Sequence, residues 1–236
     1  MTDHTIKAFD SDLQDLARMV AEMGGLAEKQ IADSVDALAK RDTTLAQRVT
    51  AADTNIDNLQ REIEEKSVNT IARRQPMAVD LREVVGALRL ANDLERIGDL
   101  AKNIAKRVIA LNGEFPPPKL IRGVEHMTDL VLGQLKAVLD AYARRDLNKA
   151  MAVWRGDEEI DAVCTSVFRE LLTYMLEDPR NITFCIHLLF CAKNIERMGD
   201  HATNIAETVY YIVKGTALPG ERPKADVTSF ETLPPS

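Results

Sequence analysis

The chain carries eight carboxylates spaced to act in pairs: Asp53 with Asp57, Glu95 with Asp99, Asp157 with Asp161, and Glu196 with Asp200. Residues at i and i+4 project from adjacent turns of one helix face, so both members of a pair can reach the same cation. If Asp53 and Asp57 approach Glu95 and Asp99, four carboxylates share a small region, and the other four repeat it. Two like charges about 5 Å apart repel by roughly 3 kcal/mol at an effective dielectric of about 20. Protonation relieves that repulsion, and so does a multivalent cation. An oxygen-rich ligand set suits magnesium, manganese or iron better than soft metals. The plainer alternative is a solvated acidic helix face that binds nothing.

Duplication argues against that alternative. Ala91-Asn-Asp-Leu-Glu95-Arg-Ile-Gly-Asp99-Leu-Ala-Lys-Asn103-Ile-Ala105 recurs as Ala192-Lys-Asn-Ile-Glu196-Arg-Met-Gly-Asp200-His-Ala-Thr-Asn204-Ile-Ala206, with nine of fifteen positions identical. Repetition of a core stripe alone would keep only apolar character, whereas here the acids, an arginine, a glycine and an asparagine are kept too. Asp53-Thr-Asn-Ile-Asp57 likewise matches Asp157-Glu-Glu-Ile-Asp161, and Ala39-Lys-Arg-Asp42 matches Ala143-Arg-Arg-Asp146. The early pairs are offset by 104 residues and the late ones by 101, so a three-residue difference lies around Pro76 in one half and Pro179 in the other. A period this long is not a solenoid unit and reads as two duplicated domains.

The elements that must position these side chains are marked by proline. The nine prolines stand at 76, 116, 117, 118, 179, 219, 223, 234 and 235, and the long segments between them have helical periodicity. Asp42 and Asp146 stand at equivalent breaks and suit helix N-caps. The pattern predicts six long helices, at about 5–40, 43–73, 77–112, 118–144, 147–177 and 181–214. The fold class expected is all-α: two tandem, pseudo-symmetric three-helix bundles, over 1–115 and 116–215, followed by a flexible tail at 216–236. In the third helix Leu90, Leu94, Ile97, Ala101, Ile104 and Val108 form a coiled-coil-like seam, repeated by Cys191, Ile195, Met198, Ala202, Ile205 and Val209. Glu95 and Asp99 then fall roughly opposite the seam, and Gly98 on its flank implies a close neighbour there.

Composition excludes several function classes. Aromatic residues are only 5% of the chain against 45% hydrophobic overall, a mix that favours helix over sheet. A net charge of −7 argues against broad nucleic-acid binding. No apolar run is long enough to span a bilayer, and the N-terminus lacks the apolar core of a signal peptide. Cys164, Cys185 and Cys191 show no CxxC spacing and read as reduced thiols of a cytoplasmic protein, with Cys191 a core residue. There is no HExxH, no phosphate-binding glycine loop, no GxSxG elbow, and no Glu-x-x-His of di-iron bundles. His201 next to Asp200 is a candidate extra ligand, although Leu100 occupies the equivalent place. Arg96 and Arg197 are candidates to hold the acids by charge-assisted bonds, and Trp154 reads as a core or domain-contact anchor.

The paired E-R-x-G-D-x-A-x-N-I-A motifs, the Asp-xxx-Asp pairs and Arg73-Arg-Gln-Pro-Met-Ala-Val-Asp-Leu-Arg82 resemble those of the PhoU family, over about residues 5–215. The resemblance implies two similar three-helix bundles, a homodimer, and metal clusters bound by the paired acidic motifs. One cluster would use Asp53, Asp57, Glu95 and Asp99, and the other Asp157, Asp161, Glu196 and Asp200. The ions implied are divalent or trivalent metals, whether iron, manganese, magnesium or zinc. The segment ending at Asp80 has no acidic counterpart in the second half, where Asn181-Ile-Thr-Phe-Cys185 stands.

What the family implies is regulation rather than turnover. Its members damp phosphate import and keep the starvation response off when phosphate is plentiful. The expected partners are the cytoplasmic subunit of a phosphate ABC transporter and a phosphate-sensing histidine kinase, with no nucleic acid and no membrane insertion. The alternatives are a metal-dependent enzyme acting on phosphate compounds and a metal-free helical scaffold.

Overall fold

The two apolar seams dictate the architecture, because each lies on a helix that has neighbours on several sides. A computed structural model describes the backbone of residues 2–111 and 118–220, with side chains from residue 9 to 111 and 119 to 220. Seven α-helices follow one another: α1 (Thr2–Lys40), α2 (Thr43–Arg74), α3 (Val79–Ala110), α4 (Pro118–Arg144), α5 (Leu147–Arg155), α6 (Asp157–Glu177) and α7 (Ile182–Lys214). A 3₁₀ turn, Pro179–Asn181, precedes α7, and no strand occurs among the described residues. α1, α2 and α3 pack together as one bundle, and α4 to α7 as the second. The expected all-α class and paired bundles are therefore present. The tail expected beyond 216 falls mostly outside the described residues.

Duplication extends to individual hydrogen bonds. At the end of α1, Arg41 takes a left-handed conformation (φ 59°), and at the end of α4 Arg145 does the same (φ 55°). The next amide closes the same bond in both, Asp42 N to Ala37 O and Asp146 N to Ala141 O, each at 2.9 Å. Each aspartate then caps the following helix as expected, Asp42 accepting from Leu45 N at 2.9 Å and Asp146 from Lys149 N at 3.0 Å. Such caps each contribute about 1 kcal/mol.

All twelve seam residues are fully inaccessible to solvent. Cys191 is one of them, and burial pushes its thiol up to about 12, with nearby Arg107 opposing, so it is a small core hydrophobe. Both seam helices are covered from more than one side: α3 by α1, α2 and α7, and α7 by α3, α4, α5 and α6. Where α3 meets α7, a methyl group on Gly86 would collide with the Ile212 side chain, so the absent side chain sets how closely the two approach. Arg82 ties the same region by donating from Nε to Ile212 O at 3.3 Å. The apolar interior is consequently one cluster running through both halves.

Three departures from the expected elements have local causes. The helix expected over 147–177 is two helices, α5 and α6, divided at Gly156, where the first half has Ala52 inside an unbroken α2. The Gln134 amide reaches Gly156 O at 2.8 Å and holds the break. The turn between α2 and α3 has two non-glycine residues at positive φ, Gln75 (48°) and Ala78 (50°), so α3 begins two residues later than expected. The second half replaces this turn by the 3₁₀ turn, and the three-residue length difference is absorbed there.

Candidate functional site

The eight candidate carboxylates form two clusters, each between the second and third helices of its half. In the first, α2 supplies Asp53 and Asp57, and α3 supplies Glu95 and Asp99. Asp53 and Asp99 share the ammonium of Lys102, which donates to Asp53 Oδ2 and Asp99 Oδ1. Burial alone would lower the pKa of that ammonium, but the two hydrogen bonds and the charges of Asp53 and Asp99 outweigh it and raise it. Glu95 completes the group. Its carboxyl is raised, first by burial and then by the charge of Asp99, with Arg96 opposing and Asp57 and Asp53 adding to the rise. Arg96 pairs with Glu95 Oε2 at 3.2 Å and Asp99 Oδ2 at 3.5 Å, as expected of it.

In the second cluster, α6 supplies Asp157 and Asp161 and α7 supplies Glu196 and Asp200. Asp157, Asp161 and Glu196 are all buried. Asp157 accepts from Thr203 Oγ1 at 3.3 Å, and Glu196 Oε1 accepts from Lys193 Nζ at 2.8 Å. The Glu196 carboxyl is raised chiefly by burial; the Lys193 bond and charge oppose this, while the charges of Asp200 and Asp161 add to it. Because Gly156 interrupts the helix, Asp157 also lies in the first turn of α6, where the helix macrodipole favours negative charge. Asp53 is in mid-helix and has no such help.

The two clusters therefore reach balance by different residues. Lys102 corresponds to Thr203, and Lys193 corresponds to Asn92. Each third helix gives its acids one lysine, three residues beyond the aspartate in α3 and three before the glutamate in α7. Gly98 and Gly199 are the close approaches anticipated for them. A Cβ on Gly98 would lie 3.0 Å from both Gln30 Oε1 and Ile56 Cδ1, and one on Gly199 would lie 2.9 Å from Ile160 Cδ1.

One expectation changes. His201 is not aimed at the acids; its Nδ1 lies 2.9 Å from Asp93 Oδ1, joining α7 to α3. Trp154 does anchor the interior, donating to Glu207 Oε1 at 3.1 Å.

Among the described residues no three His, Cys, Asp or Glu groups stand together as a ligand set. The Lys102 ammonium occupies the space between Asp53 and Asp99, and Lys193 holds Glu196. Glu95 Oε2 and Glu196 Oε2 are nevertheless buried without a hydrogen-bond partner, although the Arg96 guanidinium lies 3.2 Å from the former as an ion pair.

The raised carboxyls have a testable consequence. A folded pKa above the unfolded value, about 4.3 for glutamate, means that the folded state binds the proton more tightly. This contribution favours folding below the unfolded value and diminishes as pH rises through the folded one. Glu196→Gln should therefore raise the melting temperature at pH 7 and flatten its fall between about pH 4.5 and 7. Thermal melts across that range check it, and an unchanged slope would remove Glu196 as the cause.

Comparison with known proteins identifies the family to which this duplicated helical bundle belongs. The PhoU domain model matches residues 20–108 and again 124–209, and the chain belongs to the PhoU family. It is 62% identical over 226 residues to the phosphate-specific transport system accessory protein PhoU homolog of Rhizobium meliloti, covering 96% of this chain and 95% of that one. The homolog of the same name from Caulobacter vibrioides is 53% identical, with 97% and 100% covered. The crystal structure of PhoU from Pseudomonas aeruginosa superimposes with a TM-score of 0.84 at 42% identity, covering 88% of this chain and all of that one. That of the phosphate transport system regulatory protein PhoU from Streptococcus pneumoniae gives 0.82 at 27% identity, covering 89% and 99%.

Proposed function

We propose that this chain is a non-catalytic negative regulator of phosphate uptake and of the phosphate-starvation response. It would act in the cytoplasm as a homodimer, on the cytoplasmic subunit of a phosphate ABC transporter and on a phosphate-sensing histidine kinase. The observation that carries this reading is near full-length identity to proteins named as accessory components of phosphate transport. The absence, among the described residues, of a helix able to cross a membrane is consistent with action by docking. A surface suited to docking exists at the α2–α3 turn, where Met77 is 80% exposed beside Val79 and Leu81, next to the positive-φ residues Gln75 and Ala78. Strained backbone beside exposed apolar side chains is a feature that folding alone does not require.

Deleting the gene should switch on phosphate-scavenging genes in phosphate-replete medium. Met77→Gln, which removes no buried group, should do the same in part while leaving the melting temperature unchanged. Normal repression and normal phosphate uptake in the deletion strain would refute the regulatory role.

The carboxylate clusters are proposed as metal sites, with Lys102 and Lys193 the groups an entering ion must displace. Metal analysis of protein purified without tag or added metal tests this. Glu95→Ala and Asp200→Ala should lower the metal content, and equal content in all three proteins would exclude these residues as ligands. In metal-free protein the same changes relieve repulsion and should leave stability equal or higher.

A further inference from the structure

Between the C-terminal part of α3 and the middle of α7 lies a cleft of about 590 Å³ lined by Lys106, Arg107, Lys193 and Arg197, with no carboxylate among its lining residues. The duplication supplies an internal control. Shifted by 101 residues, most of its lining positions, though not those of His187 and Arg197, become those of a second cleft of about 460 Å³ at the other end of the α3–α7 contact. There Lys106 is replaced by Glu207, Arg107 by Thr208, Asn194 by Asp93 and Lys193 by Asn92. The second cleft also has Arg89 where the first has Phe190, so one architecture carries a basic cleft and a mixed one.

The acids of the second cleft are committed inside the protein, Asp93 to His201 and Asn204, and Glu207 to Trp154. In the basic cleft Lys193 is likewise committed to Glu196. Lys106 and Arg197 are not: they make no ion pair among the described residues. Arg107 Cζ lies over the Phe190 ring, 4.0 Å from its centre, and Arg107 Nε is buried with no hydrogen-bond partner. His187 Nδ1 is buried in the same condition. Burial and the charge of Arg107 hold the His187 imidazole below its ordinary value, so it adds a neutral polar group rather than a fifth cation. Unpaired buried donors are costly unless something binds them. A guanidinium held over an aromatic ring, beside one cation of its own helix and one of a second helix, is a donor set that recognises tetrahedral oxyanions.

We propose that this cleft binds a phosphoryl oxyanion, free or carried on a small molecule, between Arg107 and Lys106 of α3 and Arg197 of α7. Such a ligand would join the two halves, since its donors come from both. This inference stands apart from the regulatory reading, because it concerns binding by the isolated protein.

Calorimetric titration at low ionic strength with inorganic phosphate, pyrophosphate and ADP tests it. Saturable binding of one anion per chain is expected, tighter for pyrophosphate than for phosphate, because more charge meets the same cations. ADP binding more tightly than pyrophosphate would assign the site to a nucleotide, and weaker binding to a free anion. Lys106→Gln with Arg197→Gln should weaken binding about tenfold or more. Both side chains are exposed, so the circular dichroism should not change. Arg89→Gln, in the other cleft, should leave affinity intact. No saturable binding of any of the three, equal binding by the double variant, or loss with Arg89→Gln would overturn the proposal.

Discussion

Lys102→Met is expected to destabilise the protein by about 3 kcal/mol, seen as a fall of roughly 6–10 °C in melting temperature. The ammonium lies between Asp53, whose side chain is 6% exposed, and Asp99, at 32%. Removing it leaves a buried carboxylate facing two or three others with nothing between them. Breaking a buried pair typically costs about 3–5 kcal/mol, and the partial exposure of Lys102 and Asp99 places this case at the lower end. The double variant Lys102→Met with Asp53→Asn should regain most of the loss, since the orphaned charge goes with its partner. The sign of the pH effect follows from the raised lysine. Its contribution is complete below the unfolded lysine value of about 10.4 and is lost as pH rises through the folded one. A neutral outcome for Lys102→Met would mean that water or another group already balances Asp53.

The second large effect lies in the core. Ile104→Ala and Ile205→Ala should each cost about 2–5 kcal/mol, and the two values should agree within about 1 kcal/mol. Both residues are fully inaccessible and occupy equivalent places in the two seams. The loss combines the transfer free energy of the deleted atoms with the cavity left behind, and the cavity part depends on how freely the neighbours relax. Equal costs would show that the halves are equally well packed. A cost at one site below half that at the other would show that one bundle carries most of the stability.

Much of this fold was legible from pattern. Proline placement marked most helix ends, the alternation of three- and four-residue steps marked the seams, and Asp42 and Asp146 announced their caps. The pairing of Asp53 and Asp57 with Glu95 and Asp99 followed from duplication. What pattern did not show was depth. A helix wheel places Glu95 opposite the seam but does not say how closely α2 covers it, and α3 has α1, α2 and α7 all packed against it. The lysines were hidden for another reason. Lys102 and Lys193 occupy positions where the two copies differ, and differences between copies read as noise until side chains are placed. Gly156 was hidden because one glycine inside a helical pattern does not by itself announce a break. The basic cleft could not be seen at all, because its cations come from segments about ninety residues apart.

The packing of α3 against α7 bears on how far the two halves are separate objects. Each motif helix has one side that only the opposite half covers, so neither half presents a complete surface by itself. Severed between Leu111 and Pro118, the two fragments would each expose an apolar strip to water, and reassociation would bury both strips at once. Covalent continuity at that point governs the order of synthesis and the local concentration of one half around the other. It does not supply the attraction that holds them together. In that sense the molecule is a heterodimer that happens to be made as one chain.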